Sequence, residues 1–355
     1  MRRSEKIGIG VGAFVLGGLL LARSCATEPS TAENTASARS GNARGAGAPG
    51  VSSVKRADVR GRKRSGDKDK RGVVSAGWGG GATDLGRDRP DEGSASGPMS
   101  FAVDDSGRMW VLDQVNNRIQ RYVDGKVEKT LPLDRPNAQD MAIADDGSVA
   151  VLDRFGGEDV LLYGPDGSII GSIPFAGEGL EGPGFVTGVF VEGDDVFIER
   201  EHGPLVKIGN TKGEAAQPQE EIPGRPSRDG KFYVKAGITD APAGRTYVAV
   251  NDRPSQEHRF TREIRFDASV WSIVLLDTDA SGTIYFAAEL EDGGEHVVVL
   301  TCLDPMTGAV QGSASMPANT TPEETFRDFV VLDEGGVVAA HRTEDGISYE
   351  TYDCE

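Results

Sequence analysis

The sequence predicts an all-β protein: a six-bladed β-propeller preceded by an N-terminal signal or anchor helix and a disordered linker. Three observations predict the propeller. From residue 73 onward the apolar residues form runs of four to six, each run follows a tight polar turn, and the turns recur about every 40 to 50 residues. Apolar spacing typical of a helix is not sustained for three turns anywhere in this part of the chain.

Each repeat is expected to place its second strand directly after a turn rich in Asp and Gly. The six predicted second strands are residues 109–112, 149–152, 196–198, 247–250, 284–287 and 337–340. Regular turns such as 104–107 and 279–282 precede most of them, whereas an irregular segment, 240–244, precedes the fourth. Glycine suits these turns because tight hairpins need a positive φ. The weaker later repeats leave five or seven blades open as alternatives.

The first repeat carries the clearest motif. Val111, Leu112 and Asp113 are followed by Asn116, Arg118, Ile119, Gln120 and Tyr122. This pattern resembles the blade signature of the NHL-type β-propeller family, and residues 151–163 resemble it more distantly. The resemblance implies that Asp113, Asn116 and Arg118 tie strands together within a blade instead of forming a binding site.

The last repeat has too few residues for a fourth strand. Residues 73–76 form an apolar run with no partner in their own repeat. We therefore expect this run to supply the outer strand of the last blade. Closure of the ring removes exposed sheet edges that would favour aggregation.

The charge of the repeat region excludes one class of partner. Residues 73–355 contain 23 Lys and Arg against 50 Asp and Glu. A domain this acidic repels phosphate backbones, so the sequence argues against nucleic-acid binding.

The first 26 residues have the order of an export signal. Arg2, Arg3 and Lys6 precede sixteen uncharged residues, 7–22, and small residues surround Cys25. This order predicts an exported protein of the cell envelope, in the periplasm or at the cell surface. Three outcomes stay open: a retained membrane anchor, a lipoprotein with lipid attached at Cys25, or a cleaved signal peptide and full release.

Residues 27–72 are predicted to be a disordered basic linker, because they lack aromatic residues and any regular apolar period. Residues 55–71 contain nine basic and three acidic residues. They could associate with anionic headgroups, peptidoglycan or the acidic domain, or simply remain solvated.

Two cysteines, Cys302 and Cys354, remain in the exported part of the chain. In an oxidising compartment they are expected to form a disulfide, the alternative being two separate thiols.

No pattern of catalytic or cofactor-binding residues occurs in the sequence. Residues 277–282 open like a calcium loop, but Ala288 stands where a bidentate glutamate is needed. The four histidines lack the spacing of a zinc site, and no nucleophile elbow or P-loop is present. We therefore predict no catalytic residue, no bound metal and no cofactor.

One set of polar residues is a candidate for ligand binding. Arg154, Arg200, Arg253, Arg342 and His341 lie at or just beyond predicted second strands, where loops of different blades could converge at a channel mouth. Converging arginines could bind an anionic ligand through paired hydrogen bonds. The alternative is a set of local ion pairs with neighbouring carboxylates.

These features predict a membrane-tethered envelope propeller that acts as a binding or scaffolding module for a protein or an anionic ligand. The alternative is a metal-dependent enzyme, because propellers resembling this one include lyases and lactonases. A structural spacer is a third possibility. The fold does not choose among them.

Overall fold

The computed structural model describes residues 55–58, 74–174, 183–200 and 203–354. The predicted export signal, Cys25 and most of the predicted linker lie outside these ranges. Within them, no helix has the length and apolar character that a membrane span requires. Two strands precede the repeats: β1 is Lys55–Asp58 and β2 is Val74–Gly77.

Six sheets follow one another along the chain, and all their strand pairs are antiparallel except the one made by β1. The first blade contains β3 (Ser100–Val103), β4 (Met109–Asp113), β5 (Arg118–Val123) and β6 (Lys126–Pro132), with a 3-10 helix at Gln114–Asn116. The second contains β7 (Asp140–Ile143), β8 (Val149–Asp153), β9 (Asp159–Tyr163) and β10 (Ile169–Pro174). The third contains a 3-10 helix at Pro183–Phe185, then β11 (Val186–Glu192), β12 (Asp195–Arg200), β13 (Leu205–Asn210) and β14 (Ala215–Ile222).

The later blades have the same meander order. The fourth contains β15 (Arg225–Pro226), β16 (Phe232–Asp240), β17 (Arg245–Asp252) and β18 (His258–Arg265). The fifth contains β19 (Ser269–Thr278), β20 (Ile284–Asp292), β21 (Glu295–Leu303) and β22 (Val310–Pro317). The sixth contains β23 (Phe329–Val331), β24 (Val337–Arg342) and β25 (Gly346–Tyr352). The protein is therefore an all-β, six-bladed propeller, as the sequence predicts.

The ring closes through β2, which pairs antiparallel with β25 and places Val74 opposite Tyr349. The indole Nε1 of Trp78 donates to the Thr343 carbonyl at 2.9 Å, which fixes the segment beyond the strand. The expected closing strand is confirmed, and its described part begins at Val74.

The turns between first and second strands explain the Asp and Gly pattern. Asp104 Oδ1 accepts hydrogen bonds from the backbone N–H groups of Ser106 and Arg108, both at 3.0 Å, and Gly107 has a φ of 72°. Asp279 forms the corresponding contacts with Ser281 and Thr283 at 2.9 Å. The carboxylate organises the turn and glycine adopts the left-handed backbone, so residues 277–282 serve as a hairpin turn.

The fourth blade differs from the sequence prediction. Residues 247–250 belong to β17, which is the third strand of its blade and not the second. The second strand is β16, and it follows the turn 227–231, where Ser227 Oγ donates to Asp229 Oδ1 at 2.7 Å. The first strand, β15, has only two residues, so this blade gives a weak apolar signal at its start.

Within the segment predicted to be a disordered linker, β1 pairs in parallel with β18, placing Lys55 opposite Arg262. The fourth blade therefore has a fifth strand on its outer edge.

Apolar side chains fill the spaces between neighbouring blades in five buried clusters. Phe101 of the first blade packs edge-on against Tyr349 of the sixth, with ring centroids 4.9 Å apart. Within the described part of the chain, none of these five clusters joins the third blade to the fourth. That boundary instead carries ion pairs, including Arg253 with Glu192 and Arg225 with Glu199.

Candidate functional site

The first strands of the blades surround a central channel with two distinct ends. We call the end bordered by the turns between first and second strands the turn mouth. The opposite end, where second strands finish and where the chain enters each first strand, is the loop mouth. Because strands alternate in direction within a blade, each of the predicted arginines can be assigned to one of these ends.

Arg327 crosses the channel from the segment that precedes β23. Its Nη2 donates to Asp140 Oδ2 at 2.6 Å, in the second blade, and to the Val189 carbonyl at 2.8 Å, in the third. The side chain of Asp140 is only 2% exposed. A buried carboxylate of this kind needs such a partner, so the pair ties the segment before the sixth blade to the second blade.

The ring of Phe190, in β11, makes cation–π contacts with two arginines. The guanidinium carbon of Arg225 lies 4.0 Å from the ring centroid and that of Arg327 lies 4.7 Å from it. Arg225 also donates to the Leu276 carbonyl in the fifth blade. Side chains from the third, fourth and sixth blades therefore meet inside the channel.

At the turn mouth, several aspartates surround Arg228. Arg228 pairs with Asp277 at 3.2 Å and with Asp333 at 2.5 Å. Burial alone would raise the pKa of Asp277, but the Arg228 and Arg225 guanidiniums hold it below its usual range. Burial raises the pKa of Asp105, and the neighbouring Asp333 and Asp145 carboxylates raise it further.

The histidines of the described ranges have separate environments. His296 Nδ1 lies 2.7 Å from Glu289 Oε1, His341 Nε2 lies 2.8 Å from the Tyr352 hydroxyl, and His258 lies on the outer strand β18. His202 is outside the described residues. Across the described residues, no group of three or more His, Cys, Asp or Glu side chains is arranged to hold a metal ion.

The predicted set of arginines does not converge at one point. Arg154, Arg200 and Arg342 end or follow second strands at the loop mouth. Arg253 follows the third strand of its blade, and its N–H donates to the Lys231 carbonyl in a turn of the opposite mouth. This separation results from the assignment of residues 247–250 to a third strand.

Three of these arginines are ion-paired. Arg200 pairs with Glu221 at 2.9 Å, Arg253 pairs with Glu192, and Arg342 pairs with Asp328 at 2.5 Å. The Arg342 side chain is almost fully buried, so it packs against the segment that leads into β23.

Arg154 is different, because no carboxylate of the described residues lies within ion-pair distance of it. Its Nη1 donates to the Val186 carbonyl at 3.0 Å, and its Nε is buried without a hydrogen-bond partner. Burial lowers the pKa of Arg154, and Glu324 opposes that effect only at longer range. The position combines a partly desolvated cation with no counter-ion in the described ranges, which is costly unless something else compensates it.

Aromatic rings surround Arg154. Its guanidinium carbon lies 4.5 Å from the centroid of Phe326 and 4.8 Å from that of Phe155. Phe155 is 62% exposed, and Phe185, next to the Val186 carbonyl that Arg154 contacts, is 47% exposed. We call Arg154, Phe155, Phe185 and Phe326 the Arg154 patch. It presents one positive charge framed by apolar surface, which suits an anion attached to an apolar group.

Two further sets of predicted residues have structural roles: the cysteine pair and the polar residues of the first-blade motif. Cys302 and Cys354 form a disulfide that joins the fifth blade to the end of the sixth, with Cα atoms 6.1 Å apart. Asp113 Oδ2 accepts from Asn116 Nδ2 at 2.9 Å and from Arg118 Nε at 2.7 Å. Arg118 also donates to the Asp84 carbonyl at 2.7 Å, so this network holds the segment after β2 onto the first blade.

The sequence interpretation missed Arg225, Arg228 and Arg327. The run from Ser227 to Gly230 is a turn signal of the same type as the others, and it would have placed Arg225 and Arg228 beside a first strand. Arg327 has no such signal, since its partners Asp140 and Val189 are distant in the sequence.

No family model matches the chain, and no curated protein matches it. Solved structures similar to it include selenomethionine-substituted virginiamycin B lyase from Staphylococcus aureus, with 13% identity and a TM-score of 0.40 over 72% of this chain and 95% of that chain. A catalytically inactive variant of that lyase with quinupristin has 13% identity and a TM-score of 0.41 over 76% and 99%. A streptogramin B lyase has 10% identity and a TM-score of 0.40 over 75% and 97%.

Proposed function

We propose that the propeller is a binding or scaffolding module, not an enzyme, and that its binding surface is the loop mouth around the Arg154 patch. The observation that carries this proposal is the guanidinium of Arg154, which is partly buried between Phe155 and Phe326 and has no carboxylate partner among the described residues. An arginine that has no carboxylate partner in the described part of the chain and lies beside the exposed ring of Phe155 offers an attachment point for an anionic group.

The proposed location is the cell envelope, with the chain tethered to the membrane through its N-terminus. The order of charged, apolar and small residues in 1–26 supports export. The disulfide between Cys302 and Cys354 is in keeping with an oxidising compartment.

We also propose that the propeller is of the NHL type. The support is the motif of the first blade, in which Asp113, Asn116 and Arg118 form a continuous hydrogen-bond network. The same polar residues therefore have a structural use in this chain, as the resemblance implies.

Site-specific photo-crosslinking tests the binding surface. In the full chain, Phe155→p-benzoylphenylalanine should give adducts with an envelope component, and adding Arg154→Met should abolish them. Met306→p-benzoylphenylalanine is a matched control, since Met306 is 64% exposed and lies in a turn between the third and fourth strands, away from the loop mouth. Identical adducts from both positions, unaffected by Arg154→Met, would contradict the proposal.

A further inference from the structure

We infer that the Arg154 patch recognises the C-terminal carboxylate of a polypeptide whose last residue is aromatic or aliphatic. This inference rests on the proposed function and names the chemistry of the partner. It follows from the number of charges at the patch, the geometry around Arg154 and the openness of the surface.

The charge at the patch suits a monoanion. Arg154 is the only cation among the four residues of the patch, and within the described residues the charged group that acts on its pKa is the negative Glu324. The backbone N–H groups of Gly156 and Gly157 already donate to Asp153, at 2.7 and 2.8 Å, so they add no donors for a phosphate. A dianion would meet one positive charge within an acidic domain, whereas a carboxylate is balanced by a single guanidinium.

The geometry leaves part of the guanidinium for a ligand. Nη1 is used by the Val186 carbonyl and Nε is buried, so the remaining edge at Nη2 is the part that can donate outward. The guanidinium contacts the rings of both Phe326 and Phe155, and these contacts restrict its orientation before any ligand arrives. A cation that is already oriented loses less conformational entropy on binding.

The surface is open, which favours a polypeptide over a small molecule. Phe155 and Phe185 are both exposed; Phe155 lies against the guanidinium, and Phe185 directly precedes Val186, whose carbonyl accepts from the guanidinium, so both offer an apolar border beside the charge. Small molecules usually bind in enclosed pockets that bury most of their surface, whereas a peptide can lay a side chain across such a border. The side chain of the last residue would contact Phe155 or Phe185 while its carboxylate accepts from Arg154.

Fluorescence anisotropy with the full chain tests this assignment. The probe is a labelled hexapeptide ending in phenylalanine, either with a free C-terminal carboxylate or with a C-terminal amide. We expect the free acid to bind about tenfold more tightly than the amide, because a hydrogen bond to a charged group is lost in the amide. N-acetylphenylalanine and phenyl phosphate serve as unlabelled competitors, and both should compete more weakly than the free-acid peptide.

Substitutions identify the residue responsible. Arg154→Met should bring the free acid and the amide to equal affinity, and Arg154→Lys should restore part of the difference. Arg121→Met is the matched control, because Arg121 also lies over an aromatic ring, at 5.0 Å from Trp110, but has a counter-ion in Glu128 at 2.7 Å. That variant should retain the full preference for the acid.

Several results would overturn the inference. They are equal affinity for acid and amide, an unchanged preference in Arg154→Met, tighter competition by phenyl phosphate, or competition by N-acetylphenylalanine as tight as that of the peptide. Failure here is distinct from failure of the proposed function. If crosslinks from position 155 still depend on Arg154 while the peptide preference is absent, the loop mouth remains a binding surface and only the carboxylate assignment falls.

Discussion

Replacing Arg327 by methionine tests whether the arginine that crosses the channel holds the ring together. Arg327→Met keeps an apolar side chain of similar length over Phe190 but removes both contacts to Asp140, whose carboxylate stays buried. We therefore expect a large loss of stability and not the small effect typical of surface charges.

The size of the expected loss of stability depends on the hydrogen bonds that the Asp140 carboxylate keeps. Removing one partner of a buried ion pair costs about 3–5 kcal/mol. Two backbone donors, Val189 N and Met141 N, both at 2.9 Å, continue to bind the carboxylate. They offset part of the cost, so we expect a loss of about 3 kcal/mol. In a domain of this size the thermal midpoint falls by about 2 °C per kcal/mol, which corresponds to a drop of about 6 °C.

Urea denaturation of the full chain, followed by tryptophan fluorescence, measures the free energy of unfolding. Asp140→Asn alone and combined with Arg327→Met completes a double-mutant cycle, in which we expect a coupling energy of about 1–3 kcal/mol. Lys212→Met is the control, because Lys212 is 68% exposed and pairs with Asp194 at 2.9 Å. It should cost no more than about 1 kcal/mol. If Arg327→Met costs no more than this control, or if the two channel substitutions are additive, the pair does not fasten the ring.

Three further predictions concern stability. Replacing both Cys302 and Cys354 by serine should lower the free energy of unfolding by about 4 kcal/mol, because the bridge spans 52 residues; a variant as stable as the parent protein under non-reducing conditions would refute this. Asp105→Asn should stabilise the protein by up to about 1 kcal/mol at pH 7. The pKa of Asp105 is raised in the folded state, so the stability contributed by its protonated form is present below the unfolded-state pKa and is lost as pH rises through the folded-state pKa. Urea titrations should therefore show that Asp105→Asn raises the free energy of unfolding at pH 7 and changes it little at pH 3. Of the described strands, truncation before residue 74 removes only the four-residue edge strand β1 and should leave the thermal midpoint within a few degrees of the full chain, whereas truncation through residue 78 also removes β2 and should lower it sharply; equal midpoints would exclude closure by β2.

The blade count was predictable from the sequence because hairpin turns depend on local chemistry. Asp104 and Asp279 organise their turns through contacts within four residues, so the signal is contained in a short window. The fourth blade is the exception, since its first strand has only two residues and the irregular segment 240–244 precedes an apolar run at the expected spacing.

The site was less predictable, because its features depend on contacts between distant parts of the chain. Sequence position placed Arg154 at the end of a second strand, yet an arginine near many acidic residues is normally expected to have a carboxylate partner. Arg154 has no such partner in the part of the chain that the structure describes, and Phe326 packs against it; both facts depend on how the segment before the sixth blade meets the second blade. The same holds for Arg327 and Asp140, which are 187 residues apart.

The closing strand also imposes an order of events on biosynthesis. Trp78 and Thr343 are 265 residues apart, and β2 has no sheet partner until β25 exists. While the chain is being made, β2 must therefore wait as an unpaired apolar segment, although the five intervening sheets can form from neighbouring residues alone. Because contacts of such long range form slowly, we expect the final step of folding to be the meeting of the two ends of the domain. A factor that binds β2 during synthesis would delay ring closure without disturbing the blades already formed.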